Sequence, residues 1–98
     1  MITEVAQIDV LPGHEEQFEQ AVGEAVPLFL GAAGCEGIDL QRSTEHPSRY
    51  RLMVQWETVE HHTHTFRRSA GFKRWRALAG PHFADPPQVE HLYSVLAP

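Results

Sequence analysis

Three histidines lie within four positions of this 98-residue chain, at His61, His62 and His64. Imidazole is the commonest metal ligand in proteins, and because its ordinary pKa lies near 6.5 it also exchanges protons near neutral pH. Such a cluster can bind a metal ion, act as an acid and base, or simply belong to the surface of a helix. The directions in which the backbone places the three rings decide among these possibilities.

Helical phase separates the three rings. Thr58 is suited to cap a helix, and from there Val59, His62 and Phe66 fall on one stripe. The apolar members of the stripe indicate the side that faces the protein interior. The other two histidines point elsewhere, and a metal site needs a third or fourth ligand that is not evident. We therefore expect no bound metal ion.

His62 is the candidate for acid and base chemistry. An inward imidazole can accept a proton from a phenolic hydroxyl and return it. Oxidation of a hydroquinone or an anthrone needs this step, because the electron-rich phenolate is the form that donates an electron to dioxygen. The alternative is a core histidine whose ring is hydrogen-bonded to a backbone carbonyl or to a polar residue of the sheet. Both interpretations stay open from the sequence.

Aromatic and other apolar side chains are numerous enough to line a flat cavity for an aromatic ligand. For any one of them, core packing is the alternative. The candidates that would surround a bound ring are Tyr50, Leu52, Trp56, Phe66, Phe72, Trp75 and Phe83.

His91 and Tyr93 share one face of the last predicted strand. If that face meets the helices, the two side chains lie opposite His62 and form a polar end of the cavity. If it meets a partner sheet, they are dimer contacts, and the alternation of the strand cannot decide between the two.

These residues are positioned by alternating strands and amphipathic helices. The predicted strands are ITEVAQIDVL, CEGIDLQRST, RYRLMVQWE and QVEHLYSVL, and the predicted helices are HEEQFEQAVGEAVPLFL, a stretch beginning near Thr58, and SAGFKRWRALAG. The order is β-α-β-β-α-β with the second helix in two pieces. It predicts a single α+β domain over residues 1–98, with a ferredoxin-like antiparallel sheet covered by helices on one face. The uncovered face would expose either Val5, Leu11 and Met53 or the apolar residues of the opposite face, so we expect a homodimer formed through the sheet faces.

Composition excludes several classes of partner. The net charge of −5 disfavours nucleic acid or an anionic membrane. No apolar run approaches the roughly 20 residues that span a bilayer, and the first residues do not follow the pattern of a signal peptide. One cysteine, Cys35, cannot form an internal disulfide, which favours a cytoplasmic location. Five of the eight basic residues are predicted to form a solvated face: Arg67, Arg68, Lys73, Arg74 and Arg76.

The segments VQWETVEHH, FRRSAGFKRW and GPHFADPPQVEHLYSV resemble those of the antibiotic biosynthesis monooxygenase family. The resemblance covers essentially the whole chain and implies a dimeric α+β barrel. It is less specific for activity, because the family includes quinone-forming oxygenases, haem degraders and members with no known reaction.

Two branches of that family give different implications. Trp56 matches a pocket tryptophan that helps to activate oxygen in the polyketide-oxidising branch, whereas Leu52 replaces an asparagine of that branch and His62 replaces a tyrosine. The haem-degrading branch has a histidine four residues after the position of Phe72, where this chain has Arg76, so haem ligation is not supported.

The leading prediction is a cofactor-independent monooxygenase that oxidises a small quinol-like or polycyclic phenolic substrate with dioxygen. His62 would be the base, and Trp56 would shape or activate the pocket. The competing prediction is a non-catalytic ligand-binding or interaction module that keeps the fold but has lost the chemistry, which Leu52 favours.

Overall fold

The computed structural model describes residues 1–98. Its elements follow the predicted order, with the second helix in two pieces. They are β1 (Ile2–Asp9), α1 (Glu15–Leu30), β2 (Cys35–Arg42), β3 (Arg49–Trp56), a π-helical segment (His61–Phe66), α2 (Ala70–Ala79), a short 3-10 turn (Gly80–His82) and β4 (Gln88–Leu92). The strands form one antiparallel sheet in the order β2-β3-β1-β4. The α+β, ferredoxin-like fold predicted from the sequence is therefore confirmed.

Side chains along β1 and β3 alternate between the two faces of the sheet, and the face with the buried apolar residues packs on the helices. Ala6 of β1 pairs with Leu52 of β3, and both side chains are buried. The same face carries Ile8, Val54 and Trp56 into the core. The helices cover this face with the apolar stripe of α1 (Phe18, Val22, Ala25 and Phe29) and with Trp75 and Ala79 of α2.

The segment after β3 begins as predicted but winds differently. The Thr58 hydroxyl accepts the backbone N–H of His61 at 3.3 Å, as a helix cap does. The backbone N–H of Arg67 then donates to the His62 carbonyl at 3.3 Å, five residues back along the chain. This is the wide hydrogen-bond spacing of a π-helix, which is rare and often found at functional sites. This hydrogen bond brings the backbone of Arg67 next to that of His62, one turn later.

The last strand is shorter than the sequence predicts. Leu92 pairs with Thr3 near the start of β1, so residues beyond Leu92 find almost no strand to pair with. Tyr93 and Val95 are consequently 74% and 85% exposed. The prediction of a strand that continues through these residues is wrong, because β4 is an edge strand whose neighbour ends. None of the helices is long and apolar enough to cross a membrane.

Candidate active site

A cavity of about 420 Å³ lies between the inner sheet face, the π-helical segment, α2 and the loop before β4. This volume falls within the usual range for small-molecule sites. Most of its wall is apolar: Ala6, Ile8, Phe29, Leu52, Phe66, Phe72, Trp75, Phe83, Pro86, Pro87 and Val89. Four polar side chains complete the wall: Glu4, His62, Arg67 and Arg76.

The polar part of the wall is a connected group of side chains. Oε1 of Glu4 accepts the indole N–H of Trp56 at 2.9 Å and lies 3.3 Å from Nε2 of His62. Nδ1 of His62 lies 2.9 Å from Nε2 of His91. Glu4 and His62 are only 5% and 4% exposed. This group thus joins Glu4 of β1, His62 of the π-helical segment and His91 of β4.

The chemistry of these atoms fixes their protons. A carboxylate oxygen only accepts hydrogen bonds, so the proton of a neutral His62 belongs on Nε2, which faces Glu4. Nδ1 of His62 then carries a lone pair, and Nε2–H of His91 donates to it. Oε2 of Glu4 makes no hydrogen bond within the chain and is left free to accept one from a ligand.

Burial controls the ionisation of this group. It raises the pKa of Glu4, and the hydrogen bond from Trp56 and the charge of Arg67 partly offset that increase. Burial lowers the pKa of His62 to about 4, with smaller contributions from the charges of Arg67 and His91. The pKa of His91 is also lowered, first by burial and then by Arg67. Both imidazoles are therefore neutral at neutral pH, and the Glu4 carboxylate has a higher affinity for a proton than one on the surface.

Trp56 lies behind this group and does not line the cavity. Its side chain is fully buried, and its ring stacks on His62 at 5.6 Å between centroids with an angle of 20°. Because the same indole donates to Glu4, Trp56 fixes the positions of both polar side chains. Its geometry suits a positioning residue.

The structure brings together most of the predicted ligand-contacting residues. Leu52, Phe66, Phe72, Trp75 and Phe83 all lie on the cavity wall. The face of β4 that carries His91 meets the helices, since His91 contacts His62 and reaches the cavity through it.

Besides Trp56, two predicted ligand-contacting residues are placed elsewhere. The Tyr50 hydroxyl donates to the Glu19 carboxylate at 2.6 Å, and its ring contacts Phe18, away from the cavity. Burial, together with Glu19, raises the pKa of Tyr50. Tyr93 follows the end of β4 and is largely exposed, because that strand ends early.

The two remaining histidines of the cluster do not converge with His62. Nδ1 of His61 lies 2.8 Å from the Thr58 hydroxyl, and its ring covers Gly34. A Cβ atom at Gly34 would lie 2.3 Å from that ring, and the φ of +80° also favours glycine. His64 is exposed. Nowhere in the chain do three His, Cys, Asp or Glu side chains assemble into a possible metal site.

Sequence reasoning missed three polar residues of the wall. Glu4 is visible in the sequence as a charge on the otherwise apolar face of β1, which is the signal that could have identified it. Arg67 and Arg76 were predicted to lie on a solvated face. Both are exposed, yet they also line the cavity. Arg67 directly follows the π-helical segment, whose hydrogen-bond spacing the sequence does not reveal.

The fold and this site define a small ferredoxin-like α+β protein with an apolar ligand cavity and one polar wall. Residues 1–78 match the family described as antibiotic biosynthesis monooxygenase, and the chain belongs to that family.

Individual relatives share the fold across nearly the whole chain. A Bordetella bronchiseptica crystal structure, described as a candidate antibiotic biosynthesis monooxygenase, is 54% identical with a TM-score of 0.96 and 97% of each chain covered. A similarly described Caulobacter crescentus structure is 25% identical with a TM-score of 0.82, covering 97% of this chain and 90% of that one. The uncharacterized protein YczJ of Bacillus subtilis is 36% identical over 95 residues, which are 97% of this chain and all of YczJ.

Proposed function

We propose that this protein is a cofactor-independent monooxygenase that oxidises a small quinol-like or polycyclic phenolic compound with dioxygen. The observation that carries the proposal is the Glu4–His62 pair on the wall of a mostly apolar cavity, with His91 in contact with His62 from behind. Family membership supports the reaction class, and the cavity volume supports a small aromatic substrate.

In this proposal Glu4 is the base, and His62, predicted from the sequence to be the base, positions it. The substrate hydroxyl donates to the free Oε2 of Glu4, whose raised pKa makes the carboxylate a better proton acceptor. His62 stays neutral, and its Nε2–H lies beside the other oxygen, 3.3 Å between the nitrogen and Oε1, where it keeps a donor next to the carboxylate. The surrounding apolar wall keeps water away from the phenolate that forms. Trp56 positions both side chains from behind.

The reaction needs no added reductant. The phenolate donates electrons to dioxygen, one oxygen atom is added to the ring and the other leaves as water. For a quinol, the products are a hydroxyquinone and one water molecule. All four electrons that reduce dioxygen come from the substrate, so neither a flavin nor a metal ion is required for the balance.

Oxygen uptake with a panel of hydroquinones and hydroxynaphthalenes tests the proposal. Glu4→Gln keeps an acceptor for Trp56 but removes the base, so the rate should fall about 100-fold or more. His62→Gln should also reduce the rate, because the carboxylate loses its N–H partner. Glu16→Gln makes the same change at an exposed residue of α1 and is the control. Equal rates in all four proteins would remove Glu4 and His62 from the mechanism.

The competing function is a binding module without chemistry. Leu52 lies on the cavity wall where the polyketide-oxidising branch has an asparagine, so that position offers no hydrogen bond to a substrate. Saturable binding of aromatic compounds with no oxygen uptake from any of them would favour this function.

We also infer that two copies pair through their outer sheet faces. Val5 pairs with Met53 across β1 and β3, and both are half-buried in one copy. Sedimentation should give twice the chain mass for the wild type and a lighter species for Met53→Lys. A wild type that sediments as a single chain contradicts the inference.

A further inference from the structure

Two arginines lie at the cavity with no acidic partner. Arg67 and Arg76 both line it, and neither has a carboxylate oxygen within 4 Å or a side-chain hydrogen bond. Two other arginines, Arg42 and Arg49, are paired with Glu19 and Asp9. Glu4 is the sole acidic side chain of the wall, and its carboxylate already has partners in Trp56 and His62. The donors of Arg67 and Arg76 are therefore free for a ligand.

The backbone and the neighbouring ring hold these two arginines at the cavity. The backbone N–H of Arg67 donates to the His62 carbonyl across the π-helical turn, which places the two residues on adjoining turns. Arg76 lies one turn after Phe72 in α2, and its guanidinium carbon is 5.9 Å from the centre of that ring. A cation over an aromatic face is held by the ring quadrupole. The charge of Arg67 also reaches the polar wall, since it lowers the pKa of Glu4, His62 and His91.

The cavity therefore has three chemically distinct parts. Its body accepts an apolar ring, Glu4 accepts a hydroxyl proton, and the two guanidinium groups attract an anion. A guanidinium matches a planar carboxylate with two parallel hydrogen bonds. The overall charge of the chain is −5, so a general attraction for anions does not account for this local arrangement.

We propose that the substrate is an aromatic carboxylate, with its ring in the cavity and its carboxylate held by Arg67 and Arg76. The inference rests on the proposed function, since it specifies the substrate class of the same cavity.

Binding of a matched pair of redox-inert probes tests the inference without any turnover. 2-Naphthoate and 2-naphthamide have nearly the same shape and differ in charge. Calorimetric titration should show that wild type binds the acid at least about 10-fold more tightly, the order expected for hydrogen bonds to a charged group. The preference should weaken as salt is added, because both arginines are exposed to solvent.

Substitutions test whether Arg67 and Arg76 cause the preference for the acid over the amide. Arg67→Gln and Arg76→Gln should each reduce it, and the double variant should bind acid and amide equally. Arg74→Gln makes the same change at an exposed residue of α2 that does not line the cavity, and it should keep the wild-type preference. Equal affinities in the wild type, failure of both probes to bind, or a preference that survives in the double variant would each overturn the inference.

The outcomes separate this inference from the proposed function. Preference for the acid together with no oxygen uptake from any phenol would leave a carboxylate-binding site without oxygenase chemistry. Oxygen uptake with neutral quinols and no preference for the acid would leave the oxygenase and remove the substrate class.

Discussion

The lowered pKa of His62 predicts how the stability of the protein depends on pH. In the unfolded chain this imidazole takes up a proton as the pH falls through about 6.5, whereas burial in the folded protein holds its pKa at about 4. Between these values the unfolded state binds more protons, so the free energy of unfolding decreases as the pH falls. Each pKa unit corresponds to about 1.4 kcal/mol.

The expected effect is large enough to measure. When the pH falls from 7.5 to 5, protonation of His62 in the unfolded state should lower the free energy of unfolding of the wild type by about 2 kcal/mol. Below pH 4 the full decrease is about 3 kcal/mol. His91, with its lowered pKa, adds to this loss. Glu4, with its raised pKa, opposes it, because the folded protein takes up that proton first as the pH falls. The total slope therefore mixes several groups.

A comparison with His62→Gln isolates the contribution of one imidazole. Glutamine does not titrate, and the other groups remain in both proteins. Urea unfolding followed by fluorescence of the two buried tryptophans, at pH 7.5 and pH 5, gives the free energy of unfolding of each protein. The wild type should lose about 2 kcal/mol more than the variant. His64→Gln, which removes an exposed histidine, is the control and should follow the wild type.

The opposite result would refute the reasoning. If Glu4 held His62 as an imidazolium, folding would raise the pKa of His62, and wild type would gain stability relative to His62→Gln on acidification. Glu4 and His62 would then be an ion pair, and the neutral imidazole of the proposed mechanism would be wrong.

Three further predictions concern residues around the site. Gly34→Ala should lower the free energy of unfolding by about 2 kcal/mol or more, because φ is positive there and the new Cβ would meet the His61 ring. In the same chemical denaturation, Gly13→Ala should lower it by less, because φ is also positive at Gly13 but the space around the residue is open. Tyr50→Phe removes the hydrogen bond to Glu19 and should cost about 1 kcal/mol, yet calorimetry should find naphthoate binding unchanged, since Tyr50 does not line the cavity. Trp56→Phe removes the hydrogen bond that lowers the pKa of Glu4, so the acid limb of the pH–rate profile should move to higher pH. An unmoved limb would mean that Trp56 does not influence the ionisation of Glu4.

The fold could be predicted because the spacing of apolar residues, every second residue in a strand and every third or fourth in a helix, indicates which side of each element is buried. In β3, the apolar face that begins with Tyr50 and Leu52 is the face that packs on the helices. The inward direction of His62 followed from the apolar neighbours on its stripe. These features depend on periods of two and of three to four residues, which a sequence displays.

Other parts of the site depend on long-range geometry that a local pattern does not contain. Glu4 meets Trp56 only because β1 and β3 pair in one particular register. Arg67 joins the wall because one turn is π-helical, and the energetic difference from an α-helical turn is not visible in the residue types. Tyr93 leaves the sheet because its neighbouring strand runs out, which the alternation within β4 could not reveal.

The central claim is that Glu4 and His62 support insertion of one oxygen atom into a phenolic substrate. Turnover under isotopically labelled dioxygen, with products analysed by mass spectrometry, tests it most directly. The account predicts one labelled oxygen atom in the quinone product and the other in water, at a rate about 100-fold or more lower in Glu4→Gln. An unlabelled quinone with labelled hydrogen peroxide, or equal labelling rates in wild type and Glu4→Gln, would contradict the account.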